Sequence, residues 1–171
     1  NDRAGEATGL VYLGVIAEHE RAYDEALAYL NRGLVIQKSL SAFVDSAMTL
    51  FHMGNCYIAS GDFDDALSVF IQARSIVRSQ ERVDRVAEIE CGLAEIALKR
   101  GEADRALNFV HAHYPRLIDG KIGGCLQPGL VFWRAIHVLE AHDEQLEAVK
   151  LRAVFRRQDA RQVAADRVEL F

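Results

Sequence analysis

Three short stretches decide the reading of this chain: Tyr23-Asp-Glu-Ala-Leu27, Phe63-Asp-Asp-Ala-Leu67 and Ala103-Asp-Arg-Ala-Leu107. Each begins 40 residues after the one before it. Asp24, Asp64 and Asp104 align, as do Ala26, Ala66 and Ala106, then Leu27, Leu67 and Leu107. Upstream, Leu13-Gly14, Met53-Gly54 and Leu93-Ala94 repeat a large apolar residue followed by a small one at the same spacing. Downstream, Leu30, Phe70 and Val110 do the same. A fixed period over this many positions marks an array of equivalent units that bury their faces against one another.

Each unit reads as two helices. In the second, Phe43, Ala47, Leu50, Phe51, Gly54 and Ile58 keep a helical spacing on one face. Ser60-Gly61 ends that helix, because glycine suits the left-handed position after a C-terminus. Asp62 is placed to cap the next helix, with Asp65 three residues on. Phe63, Ala66, Leu67, Phe70 and Ile71 form the second helix's buried stripe. In the third unit Arg100-Gly101 is the stop and Ala103, Ala106, Leu107 and Val110 are the stripe. The small residues at 14, 54 and 94, and at 26, 66 and 106, let the two helices of a pair approach closely.

This pattern resembles the tetratricopeptide repeat, a helix–turn–helix unit. Gly54, Gly61, Phe63 and Ala66 carry the likeness best. The family's usual unit is about 34 residues; here it is 40, and the added length is roughly 1.7 helical turns. Arg21 stands where the first unit's turn glycine belongs, and Ala94 replaces the helix-A glycine of the third. The resemblance implies an all-α solenoid of antiparallel helix pairs, about eight helices, wound as a right-handed superhelix. Three pairs are expected over about 3–38, 42–79 and 82–113. Pro115 is expected to cut the third pair short. The stretch 114–128, with both prolines and several glycines, reads as a loop. Residues 129–171 read as a divergent fourth pair or cap. The segment LVFWRAIHVLEAHDEQLEA also resembles the tail of large bacterial signalling ATPases and transcriptional regulators, whose helical repeats follow an NTPase module.

Composition bounds the function. A net charge of −5 lacks the footprint of a general nucleic-acid binder. No run of apolar residues is long enough to span a membrane. Three scattered cysteines, Cys56, Cys91 and Cys125, argue against a disulfide framework and for a reducing compartment, so a cytoplasmic location is expected. The opening NDRAGEATGL has neither an initiator Met nor a signal pattern and is read as an internal piece of a longer protein.

Candidate chemistry is sparse. His111 and His113 are two residues apart, which on a helix turns their rings about 200° from each other, and no further ligand pattern supports a metal. Asp119–Gly124 is glycine-rich, but it has neither the order nor the strand of a phosphate loop. Cys56 and Cys91 sit on A helices with no base or acid motif beside them. Lys150, Arg152, Arg156, Arg157 and Arg161 make the last helix locally basic, but Asp159 and Asp166 interrupt the strip, which reads as a solvated face. No catalytic residue, metal or cofactor is expected.

The family implies that A helices line a concave surface that grips peptides. Helical spacing nominates Tyr12 and His19 in the first unit, His52 and Asn55 in the second, and Glu88, Glu95 and Lys99 in the third. Asn55 matches a position that, in chaperone-binding relatives, helps hold a peptide carboxylate. The basic residues those relatives need are replaced by Val11, Val15 and Glu88, so a carboxylate clamp is not expected. Glu88 and Glu95 suit a basic or apolar segment. The leading expectation is a protein-interaction scaffold for a partner protein, a peptide or another segment of the parent chain. The alternatives are a regulatory or ligand-sensing region of a signalling ATPase or transcriptional regulator, and a self-assembly module whose uncapped end stacks on a second copy.

Overall fold

The structure, a computed structural model, describes the backbone of residues 2–81, 83–121 and 124–168 and the side chains of 2–81, 85–121 and 124–159. Among these residues the chain is all-helical, with no strand. Its helices are α1 (Arg3–His19), α2 (Tyr23–Ser39), α3 (Phe43–Ser60), α4 (Phe63–Ser79), α5 (Val83–Lys99), α6 (Ala103–Ile118), α7 (Pro128–Ala141) and α8 (Gln145–Val168). Neighbouring helices pack in pairs, as expected of an α-solenoid. Two compact units divide the chain, Asn1–Ile89 and Glu90–Phe171.

In the first unit, α1 pairs with α2 and α3 with α4, and α2 also packs on α3. The aligned small residues explain the pairing. A Cβ at Gly14 would lie 2.6 Å from the Leu30 side chain and 3.2 Å from the Ala26 carbonyl oxygen. At Gly54 it would lie 2.5 Å from the Phe70 ring. Hydrogen alone fits at either place. Ala26 and Ala66 are fully buried on the facing helices. Phe51 meets Phe70 edge to face at 6.0 Å, a favoured aromatic geometry.

The second unit is built from the remainder of α5 with α6, α7 and α8. Cys91, Ala94 and Ala97 join Ala106, Val110 and Leu117 of α6, Val131, Phe132 and Ala135 of α7, and Ala148 and Leu151 of α8 in one core. Gln158 donates to the Gly120 carbonyl at 2.9 Å, fastening α8 to the turn after α6.

Turns depart from the sequence reading in an informative way. Gly61 and Gly101 take φ of 87° and 77°, the left-handed conformation expected of them. Arg21, Ser41 and Glu81 do the same without glycine, at 62°, 55° and 54°. These five positions fall 20 residues apart, so the 40-residue repeat consists of two equal half-units, each a helix and a left-handed turn. The backbone of the turn also sets the helix starts. Ala22, Ala42 and Glu102 hold the same place as Asp62, and none of the four makes a side-chain capping bond. The expected Asp62 cap is therefore absent. Its backbone is used instead: Asp62 N–H donates to the Tyr57 carbonyl and its own carbonyl accepts from Ala66.

Pro115 does not end α6, which continues to Ile118. Proline lacks the N–H for one helical bond and its ring crowds the carbonyl four residues back, yet the helix runs on past it. Leu117, fully buried, extends the stripe Ala106, Val110, His113 by one more step. That burial keeps the helix going beyond the expected boundary at 113. Residues 128–141 and 145–168 form two further helices that pack on each other.

Candidate partner-binding surface

The nominated residues fall into two physical groups. Tyr12 and His19 on α1 are exposed, as is Lys99 near the end of α5. His52, Asn55, Glu88 and Glu95 are buried. In the first unit the buried group is organised by Glu18, which the sequence reading did not nominate. The His52 Nδ1 lies 2.6 Å from Glu18 Oε2, and Asn55 Nδ2 donates to Glu18 Oε1 at 3.2 Å. This cluster ties α1 to α3, joining two successive A helices. Glu88 lies on α5 and accepts from Arg85 on the same helix at 3.1 Å.

In the second unit, Glu95 accepts from Arg134 Nε at 2.6 Å, joining α5 to α7. Glu90 lies 2.7 Å from His113 Nε2, joining α5 to α6. Buried ions of this kind persist only when paired, since an unpaired one is strongly destabilising. Glu88 and Glu95 thus have their charges met within the fold. No local pattern marks this pairing for Glu95, because its partner lies 39 residues away.

The other candidate chemistries resolve into structure. His111 pairs with Glu144 at 2.8 Å while His113 turns to Glu90, so the two rings serve different neighbours. No cluster of His, Cys, Asp or Glu able to hold a metal occurs among the described residues. Ile122 and Gly123 of the glycine-rich stretch lie outside the described residues. Of the basic strip on α8, Lys150 pairs with Glu147 and Arg152 with Glu140. The side chains of Arg161 and Asp166 lie outside those described. Burial, reinforced by the negative charge of Glu18, pushes the Cys56 thiol up to about 12. A thiol held protonated is a poor nucleophile. No described helix is long and apolar enough to cross a membrane.

The fold therefore defines a class: a helical-repeat protein whose buried polar residues join helices and whose exposed side chains lie along helix surfaces. Comparison with known families sharpens this. A family model described as tetratricopeptide repeat matches residues 45–112. No curated protein matches the chain. The match and the paired helices together support a tetratricopeptide-type helical repeat over the matched span. The matched span covers the second and third units, where both turn glycines are present.

Proposed function

We propose that this domain is a non-catalytic protein-interaction scaffold that holds a segment of a partner along its A helices, in the cytoplasm. The observation that carries the reading is the tetratricopeptide match over 45–112, a family whose repeats typically bind other proteins. Each compact unit offers contact by itself through exposed nominated residues: Tyr12 and His19 on the first, Lys99 on the second. The buried ones, His52, Asn55, Glu88 and Glu95, support the surface from beneath. Glu88 and Glu95 already face Arg85 and Arg134, so a basic partner is not required.

A peptide-display selection against the folded domain tests this. Peptides held by the first unit should lose about tenfold in affinity on His19→Ala, and peptides held by the second should lose about tenfold on Lys99→Ala. They should be indifferent to Ser68→Ala or Gln72→Ala, both exposed on the B helix α4. The opposite pattern would overturn the placement on A helices.

A further inference from the structure

Gly9, Tyr12, Leu13 and Ile16 of α1 hold the repeat positions of Thr49, His52, Met53 and Cys56 in α3. In α3 all four are buried. Helix α2 packs on α3, and Thr49 Oγ1 donates to Gln37 Oε1 of α2 at 2.8 Å. In α1 the corresponding face is open. Tyr12, Leu13 and Ile16 are 67, 47 and 54% exposed, and a Cβ at Gly9 would meet nothing within 4 Å. Three adjacent apolar side chains around a mid-helix glycine form a face shaped for another helix to approach.

Helix α8 carries a matching stripe. It is the B helix of the last pair, the kind of helix that, as α2, covers the A helix following it. Leu146, Val149 and Ala153 are exposed and recur at helical spacing, and exposed Arg156 and Arg157 follow one turn on. Successive helices in the array run antiparallel. Setting α8 antiparallel on α1 with Ala153 against Gly9 fixes the rest by counting. Val149 then falls at Leu13 and Tyr12, Leu146 at Ile16, and Arg156 and Arg157 at the exposed Glu6. Small meets small, apolar meets apolar, and base meets acid.

We propose that α8 of one copy of this chain docks on α1 of a second copy, so that a B helix covers an A helix between molecules as it does within one. The contact is heterologous, using different surfaces on the two partners. The three bare α1 side chains offer on the order of 300 Å² of apolar surface, below the roughly 800 Å² per partner of a standard interface. Association should therefore be weak and reversible.

Analytical ultracentrifugation of the whole chain, from tens of micromolar to about 1 millimolar, is expected to give a mass that rises with concentration and falls at high salt. Leu13→Glu and Val149→Glu should each be monomeric, because one has no receptive α1 and the other no docking α8. An equimolar mixture of the two should regain one interface and form a heterodimer that grows no further. Glu6→Arg should weaken association about tenfold, and adding Arg156→Glu and Arg157→Glu should restore it. Circular dichroism confirms that each variant is folded; Tyr12→Glu and Leu146→Glu stand in for any that is not. A wild-type monomer at the highest concentration would overturn the proposal. So would a variant mixture that stays monomeric, a Val149→Glu variant that still self-associates (the sign of α1 pairing with α1), or a charge reversal that restores nothing.

Discussion

Leu13 on α1 and Met53 on α3 occupy one position of the repeat, and so do Ile16 and Cys56. Met53 and Cys56 lie in the core, while Leu13 and Ile16 face solvent. The side chains are similarly apolar; what differs is that α2 packs against α3 and no described helix covers the corresponding face of α1. Burial in a repeat array is thus a property of the neighbour as much as of the residue. The same substitution made at equivalent positions should therefore have very different effects.

The largest contrast should come from a charge. Met53→Glu places an unpaired carboxylate in the core and should cost more than about 4 kcal/mol, enough to unfold the first unit. Leu13→Glu should change stability by no more than about 0.5 kcal/mol. Urea denaturation followed by circular dichroism measures both. Equal losses would mean that the α1 face is covered within the monomer.

A smaller contrast should come from the glycines. Gly54→Val drives a branched side chain into the Phe70 ring and should cost about 2–3 kcal/mol. Gly9→Ala meets open space and should stabilise the helix by about 0.5–1 kcal/mol. A rise in melting temperature for Gly9→Ala beside a fall for Gly54→Val is the expected pair of results. A fall for both would show that Gly9 is closely packed.

The smallest effect on stability, and the clearest on reactivity, concerns thiols. Cys56 should resist labelling at pH 8 in the folded chain, whereas an Ile16→Cys thiol should be modified at once. Burial and then Glu18 raise the Cys56 pKa from 9.0 to about 12. The folded state therefore keeps a proton that the unfolded chain releases. This contribution to stability is complete below about pH 9 and is lost as the pH climbs to about 12. Cys56→Ala should flatten that part of the pH–stability curve.

The fold was legible because its strongest constraints are short-range and repeated. Ala26, Ala66 and Ala106 recur where helices touch, and every one is fully buried. The limit of α6 was misread because proline is a local signal, whereas the pull of Leu117 into the core comes from distant residues. The turns at Arg21, Ser41 and Glu81 were hidden because residues that seldom take positive φ do so there. The surface was less legible still. Helical spacing nominated His52 and Asn55, but their partner Glu18 lies in the preceding repeat and has no aligned acidic counterpart to betray its role. Glu95 reads from spacing as a groove charge for a basic or apolar segment, since nothing local marks Arg134 as its partner.

The left-handed turns at positions 21, 41, 61, 81 and 101 also act as a ruler for splicing. Each half-unit is the same length, so a cut at any two of these turns an even number of half-units apart leaves ends of matching backbone direction. Joining Glu20 directly to Gly61 would delete one A and one B helix while keeping the turn conformation and the order of helix types. The array can thus be lengthened or shortened in whole pairs, with the joints already made for it.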